Sequence, residues 1–199
     1  MRVAAGMVVL LVLAVAAPAA AAPAAAPSLA GPFAPYAFLV GEWNVSPAGA
    51  PAMGVARFIW GPNQSYLWYS LALLENGEEQ PHFEGLMVWN GARRDLDMLL
   101  ILDLQSGRIQ EQGPVSIRPD GTVVREITAT YAEGERFPPR YDTPAGPQGA
   151  TAHFRQTFRA SGPDTILTSA TRETKEGWVA TFPGSDRLVM ARRPPAAKR

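Results

Sequence analysis

The chain of 199 residues contains no cysteine. That absence excludes disulfides, thiolate metal sites, cysteine nucleophiles and a lipid-modified N-terminal cysteine together. Lysine is nearly missing as well: of 18 basic residues only Lys175 and Lys198 are lysine, against a background rich in Ala, Gly and Pro. This reads as the coding bias of a GC-rich bacterium rather than as a functional signature. There is no net charge, because the basic residues are matched by 18 acidic ones. Without a basic excess or a basic stripe, the chain has no general attraction to nucleic acid. Past the first segment no stretch is suited to a long helix. Gly-x-Ser-x-Gly, His-Glu-x-x-His, a phosphate-binding glycine loop and a calcium loop are all missing. Histidine is confined to His82 and His153.

What is present divides at about residue 32. Met1 and Arg2 precede an apolar run from Val8 to Ala17, followed by small residues from Ala19 to Ala26. A short basic start, an apolar stretch and an Ala-x-Ala exit describe a signal peptide over residues 1–21, cleaved near Ala21 or Ala22. A membrane-spanning helix needs about 20 apolar residues, and Pro18 interrupts the run too early for that. The expected location is therefore periplasmic or secreted, with no transmembrane segment left in the mature chain. Residues 22–32 read as a flexible Ala/Pro leader, 33–193 as one domain, and 194–199 as a disordered tail.

From residue 39 onward apolar residues recur with period two, and turn residues intervene every 8 to 14 positions. That is the pattern of an antiparallel sandwich or barrel. The expected strands are Val40–Ser46, Ala52–Trp60, Ser65–Leu74, Gln80–Trp89, Asp95–Leu102, Arg108–Ile117, Thr122–Ala132, Ala150–Arg159, Thr165–Glu173 and Gly177–Arg192. Turns such as Asn76-Gly77, Asn90-Gly91 and Asp120-Gly121 supply the positive φ that tight hairpins require. An up-and-down meander of about ten strands resolves its two exposed edges by closing on itself. The last strand carries Pro183-Gly184 and is expected to bulge or split there. One short helix is expected over Pro32–Phe38, where Phe33, Tyr36 and Leu39 form a stripe. The segment Glu133–Gly149, rich in Pro and Gly around Phe137 and Tyr141, is far longer than a hairpin needs and is expected at one mouth of the barrel.

Leu39-Val40-Gly41-Glu42-Trp43 opens the first strand, and Leu188-Val189-Met190-Ala191-Arg192-Arg193 closes the last. This pairing resembles the calycin superfamily of lipocalins, fatty-acid-binding proteins, nitrobindins and bacterial lipocalin-like or nitrobindin-like barrels of unknown function. The resemblance implies that Gly41 and Trp43 plug the closed end of a barrel. It also implies that Arg192 or Arg193 lies across the indole, a cation–π contact that seals apolar surface from water. It further implies a small apolar or amphipathic molecule in the lumen. Nitrobindins hold haem through a histidine near the C-terminus. This chain has no histidine beyond position 153, so haem is disfavoured and no cofactor is expected.

Candidate chemistry must come from polar residues on strand faces. His82 and Glu84 share a face with Leu86 and Val88. His153 and Arg155 share one with Thr157 and Arg159, opposite Ala152, Phe154, Gln156 and Phe158. Turned inward, His82, Glu84, His153 and Arg155 would make an acid–base cluster or an anion clamp. For His153 and Arg155 the solvated alternative weighs more, because charged residues are seldom buried unpaired. Asp95, Asp97 and Asp103 share parity, but alternate with Leu96, Met98, Leu100 and Leu102, which describes an amphipathic strand rather than a metal site. Phe58, Trp60, Tyr66, Trp68, Tyr69, Phe83 and Trp89 gather on three successive strands as either core or pocket wall. Tyr66, Trp68 and Ser70, with polar tips on one face, form the face expected to meet a ligand, leaving Leu67 and Tyr69 to point away. Three functions follow from these residues: a small-molecule-binding barrel, an isomerase, cyclase or hydrolase using His153 or His82, or a solidly filled envelope barrel that contacts another protein. The binding barrel is the expectation. Neither ligand identity nor oligomeric state is legible.

Overall fold

The computed structural model of the protein describes residues 31–102, 109–131 and 151–194. They form β1 (Gly41–Pro47), β2 (Gly54–Trp60), β3 (Tyr66–Glu75), β4 (Glu78–Asn90), β5 (Asp95–Leu102) and β6 (Ile109–Ile117). β7 (Val123–Tyr131), β8 (Thr151–Gly162), β9 (Thr165–Thr174), β10 (Gly177–Ala180) and β11 (Leu188–Arg192) follow. Each strand from β1 to β9 pairs antiparallel with the next, and β11 pairs with β9 on one side and β1 on the other. The result is an all-β, closed barrel of 10 strands with one extra strand.

That extra strand comes from the division of the expected Gly177–Arg192 strand. β11 occupies the edge of β9 at Thr165–Thr168, and β10 occupies the same edge at Thr171–Thr174. Between them the chain turns through Pro183-Gly184, where Gly184 has a φ of 85°. Proline cannot donate to a ladder and glycine weakens one, so the strand breaks where those residues stand. The turn is clasped to β9 by Ser185, whose Oγ donates to the Ala170 carbonyl at 2.7 Å and which is fully buried.

The expected short helix is a 3-10 segment over Ala34–Leu39. A spacing of three in Phe33, Tyr36 and Leu39 matches the roughly three residues per turn of that helix and puts all three on one buried side. It lies across the barrel end where β1 begins. Phe33 meets Trp60 edge-to-face at 5.5 Å, and the Tyr36 hydroxyl donates to the Val115 carbonyl at 3.1 Å.

Inward residues alternate along every strand, and the end covered by this segment is filled. Phe58 stacks on Tyr69 at 4.2 Å, and Phe158 stands edge-on to Phe58 at 5.7 Å. Leu39, Leu67, Met87, Leu96 and Val115 are completely buried beside them. Trp43, 1% exposed, closes this end. Its indole N–H donates to the Leu39 carbonyl at 2.7 Å, and the Arg192 guanidinium lies 4.1 Å from the ring centroid. Arg192 is held there by Asp164 at 2.9 Å and by the Val40 carbonyl at 3.1 Å. Gly41, at φ 136°, permits this approach: a Cβ there would stand 2.4 Å from Arg192 Nη1. Of the two candidate arginines only Arg192 reaches the indole. Arg193 is drawn to Glu79 at 2.5 Å, within a surface network that also joins Arg57 and Glu42.

The signal segment, residues 22–30 of the leader, the whole of Glu133–Gly149 and residues 195–199 lie outside the described residues. Tyr131 and Thr151, which flank the long connection, stand at the barrel end opposite Trp43.

Trp43→Ala removes the largest side chain of the closed end. Chemical denaturation should show a loss of about 3 to 5 kcal/mol, since neighbours anchored by hydrogen bonds cannot collapse into the space. A loss below about 1 kcal/mol, typical of surface substitutions, would show that the indole is peripheral.

Candidate functional site

Alternation settles which faces look inward. On β3, Leu67, Tyr69 and Leu71 point in, and Leu67 and Tyr69 are almost completely buried. Tyr66, Trp68 and Ser70 therefore occupy the outer face, the reverse of the expected arrangement. In register, Ile59, Trp68, Leu86 and Leu99 form an outer row across four strands, with Ile59 and Leu99 both 53% exposed. The polar tips of Tyr66 and Trp68 need no buried partner because water reaches them, and packing, not polarity, decided the face. Phe58, Trp60, Tyr69, Phe83 and Trp89 make the inward wall instead.

The outer face also takes most of the other polar candidates. Glu84, opposite Ser70 on β3 and Ile101 on β5, faces out. His153 is exposed, 3.4 Å from the Thr128 hydroxyl on the outside of β7. Arg155 borders the interior, but its guanidinium pairs outside with Glu126 at 2.8 Å and lies 4.1 Å from the Trp178 ring. Asp95 and Asp97 are on the outer side of β5 beside Arg93, as an amphipathic strand requires. Asp103 lies outside the described residues.

His82 is the exception, and a break in register explains it. Leu71 pairs with Phe83 and Ala72 with Pro81, so His82 has no partner on β3. Such a β-bulge sets two residues against one and re-aims a side chain. His82 thus turns inward next to Phe83, its ring 5.6 Å from the phenyl, and is 6% exposed. Its separation from Glu84 follows from the same extra residue.

Above the aromatic layer the lumen holds a cavity of about 100 Å³. Most of its wall is apolar, including Val45, Met53, Ala56, Leu71, Phe182 and Met190. Polar residues on its wall are Tyr69, His82, Glu111, Arg125, Arg155, Gln156, Thr168 and Thr181. Glu111 and Arg125, both buried, form a direct ion pair across the β6–β7 wall. Arg125 also donates to the Gln156 side-chain carbonyl at 2.8 Å, and Gln156 donates to the Tyr69 hydroxyl at 3.3 Å. This chain of contacts ties β6, β7, β8 and β3 together around the lumen. Burial pushes the Glu111 carboxyl up, while the Arg125 guanidinium pulls it back toward the ionised form. Burial likewise pushes the Tyr69 hydroxyl up to about 12, with Arg125 and Gln156 opposing the shift.

Thr168 and Thr181 differ from the rest. They are 5% and 6% exposed, and neither hydroxyl has a hydrogen-bond partner among the described residues. Thr168 faces in from β9 between Ile166 and Ala170. The N–H of Thr181, on the turn after β10, donates to the Ala170 carbonyl at 3.2 Å, so both residues stand on one side of the cavity. A buried hydroxyl without a partner is costly, and both oxygens are shielded from the cavity as well as from bulk water.

Glu111, Arg125, Thr168 and Thr181 were not singled out by sequence reasoning. Their signal was present: each stands at the parity of apolar neighbours, Glu111 two residues from Ile109, Arg125 between Val123 and Ile127, Thr168 between Ile166 and Ala170. No protein-family model matches the chain, and no curated protein matches it.

Glu111→Leu alone strands a buried guanidinium and should cost about 3 to 5 kcal/mol, whereas Glu111→Leu with Arg125→Met should return to wild-type stability or exceed it. Denaturant unfolding of both variants checks this. If the double variant is as unstable as the single one, the pair contributes more than its own attraction.

Tyr69 supplies a pH dependence. Its hydroxyl ionises at about 12 in the folded protein but near 10, roughly, in an unfolded chain. The folded state therefore keeps the proton longer, so this stabilisation is complete below about pH 10 and is lost as pH rises toward 12. Wild-type protein should lose stability over that window more steeply than Tyr69→Phe. Parallel curves would contradict the buried hydroxyl.

Proposed function

We propose that the protein is an exported lipocalin-like barrel that holds a small amphipathic molecule in its lumen. The observation that carries this reading is the mainly apolar cavity in the lumen, bordered by a few polar side chains that include His82, Arg155 and Gln156. Largely apolar concavities with a few convergent polar groups are the usual form of small-molecule sites. The calycin-like character is supported by Gly41 and Trp43 at the start of β1 under the Arg192 guanidinium. Export is supported by the basic start, apolar run and Ala-x-Ala exit of residues 1–21. A cavity of about 100 Å³ in the lumen supports the binding reading over that of a solidly filled barrel.

An acid–base reading on the same cavity is favoured by one feature, the bulge that brings His82 into the lumen wall that Glu111 shares. The measurement that separates the two is turnover. An enzyme of this design would lose activity with His82→Gln, whereas a binding barrel would return its ligand unchanged.

Native mass spectrometry of protein purified from the compartment in which it accumulates should reveal an added mass that denaturation releases. Thr168→Val with Thr181→Val should be as stable as wild type or more stable by about 1 kcal/mol, because an unsatisfied buried hydroxyl is replaced by a methyl group of the same shape. If wild-type protein carries nothing and binds no apolar probe, the binding reading fails.

A further inference from the structure

Resting on that reading, we infer that the ligand is an amphiphile with an anionic head group, which enters tail first and leaves its head on Arg172 at the open end of the barrel. Arg172 occupies an inward position of β9. Ile166 and Thr168 are buried on that face, Ala170 lines the cavity, and Arg172 follows at the next inward position. Its neighbours in register are Phe154 on β8 and Val179 on β10. β9 starts at the Trp43 end, so Arg172 stands about 7 Å nearer the open end than Ala170, just past the cavity wall.

The charge of Arg172 is uncommitted. Its Nε is enclosed and has no partner, whereas Nη1 and Nη2 are accessible and make no ion pair or hydrogen bond among the described residues. The other guanidinium groups near the lumen are engaged. Arg125 has Glu111 and Gln156, and Arg155 turns outward to Glu126 and the Trp178 ring. Among the described residues Glu111 is the only carboxylate that lines the cavity, and Arg125 neutralises it. Glu173, beside Arg172 in sequence, is opposite Trp178 on the outer face. Glu75 and Glu78 are exposed at the tip of the β3–β4 hairpin, four strands away around the barrel.

A partly enclosed guanidinium without a counter-charge favours an anion, and its planar pair of terminal nitrogens can donate side by side to a carboxylate, sulfate or phosphate. An alcohol would gain one weaker hydrogen bond there, and an ammonium would be repelled. The tail has the apolar part of the wall, with Val45, Met53, Leu71, Leu73 and Phe182. The cavity is half open, so it sets the direction of the tail and not its length. A head group alone forgoes the burial of apolar surface, which is the larger share of binding for such a molecule.

The test is a titration of the purified protein, followed by backbone amide NMR at mildly alkaline pH, with decanoate, decyl sulfate, decan-1-ol, decyltrimethylammonium and acetate, all below micelle formation. Decanoate and decyl sulfate should bind about tenfold more tightly than decan-1-ol, the worth of a charge-assisted hydrogen bond over a neutral one. Decyltrimethylammonium should bind more weakly than decan-1-ol, and acetate should leave the cavity residues unperturbed. In Arg172→Gln the preference for the two anions should vanish while decan-1-ol binds as before, which shows that the barrel is intact. Arg172→Lys, which keeps the charge, should preserve the order of the head groups. If the preference survives Arg172→Gln, or is removed instead by His82→Gln or Arg155→Gln, Arg172 is not the partner of the head. If decan-1-ol matches the anions in wild type, or acetate matches decanoate, this ligand class is wrong while the binding barrel stands. If none of the five perturbs the cavity residues, the binding reading falls with it.

Discussion

The indole of Trp43 and the guanidinium of Arg192 meet at the seam where the first strand of the chain pairs with the last, and they are direct partners in that register. Everything inside the barrel depends on that seam. A sheet of ten strands left open would expose two edges and one apolar face. Closure turns that face into an enclosed volume. The contact also fixes how the ring is closed, because Gly41 leaves room for the guanidinium and Asp164 and the Val40 carbonyl hold it in place. With one end sealed by Trp43 and the short 3-10 segment, the aromatic layer of Phe58, Tyr69 and Phe158 can fill the space below the cavity. The vacancy is thereby confined to the other half of the lumen.

Within that half, polar residues stand where an apolar core would be simpler and often more stable. Glu111, Arg125, Gln156 and Tyr69 satisfy one another and brace four strands across the lumen. Thr168 and Thr181 are not satisfied in this way. The contrast separates a framework of internally paired groups from two hydroxyls that find no partner among the described residues.

Much of the architecture was readable from the residues. The strands, their order and closure followed from period-two alternation and turn chemistry, and strand ends differ from expectation by a few residues at most among the described segments. Gly41, Trp43 and the pair Arg192-Arg193 were legible through the resemblance carried by the two strand ends, though which arginine meets the indole was not. The interior site was not. Alternation gives two faces but not which of them is inside when both carry large apolar groups, as on β3 with Leu67 and Tyr69 against Tyr66 and Trp68. Nor does it reveal a register shift: His82 has the parity of Glu84 in sequence and the opposite side in space. Polar residues at apolar parity, such as Arg125 between Val123 and Ile127, were the better indicators. They were passed over because burial of charge is disfavoured until its partner, on another strand, is known.

The bulge at His82 has a consequence for how β4 can change in length. Pairing is regular on both sides of it, with Phe83 opposite Leu71 and Pro81 opposite Ala72. His82 stands outside the count of the ladder. Removing it would join two segments that already share one register, whereas losing a residue from the regular ladder would send the side chains beyond it to the wrong face. A histidine in this wall can thus be gained or lost as a single inserted residue, leaving the barrel around it unaltered.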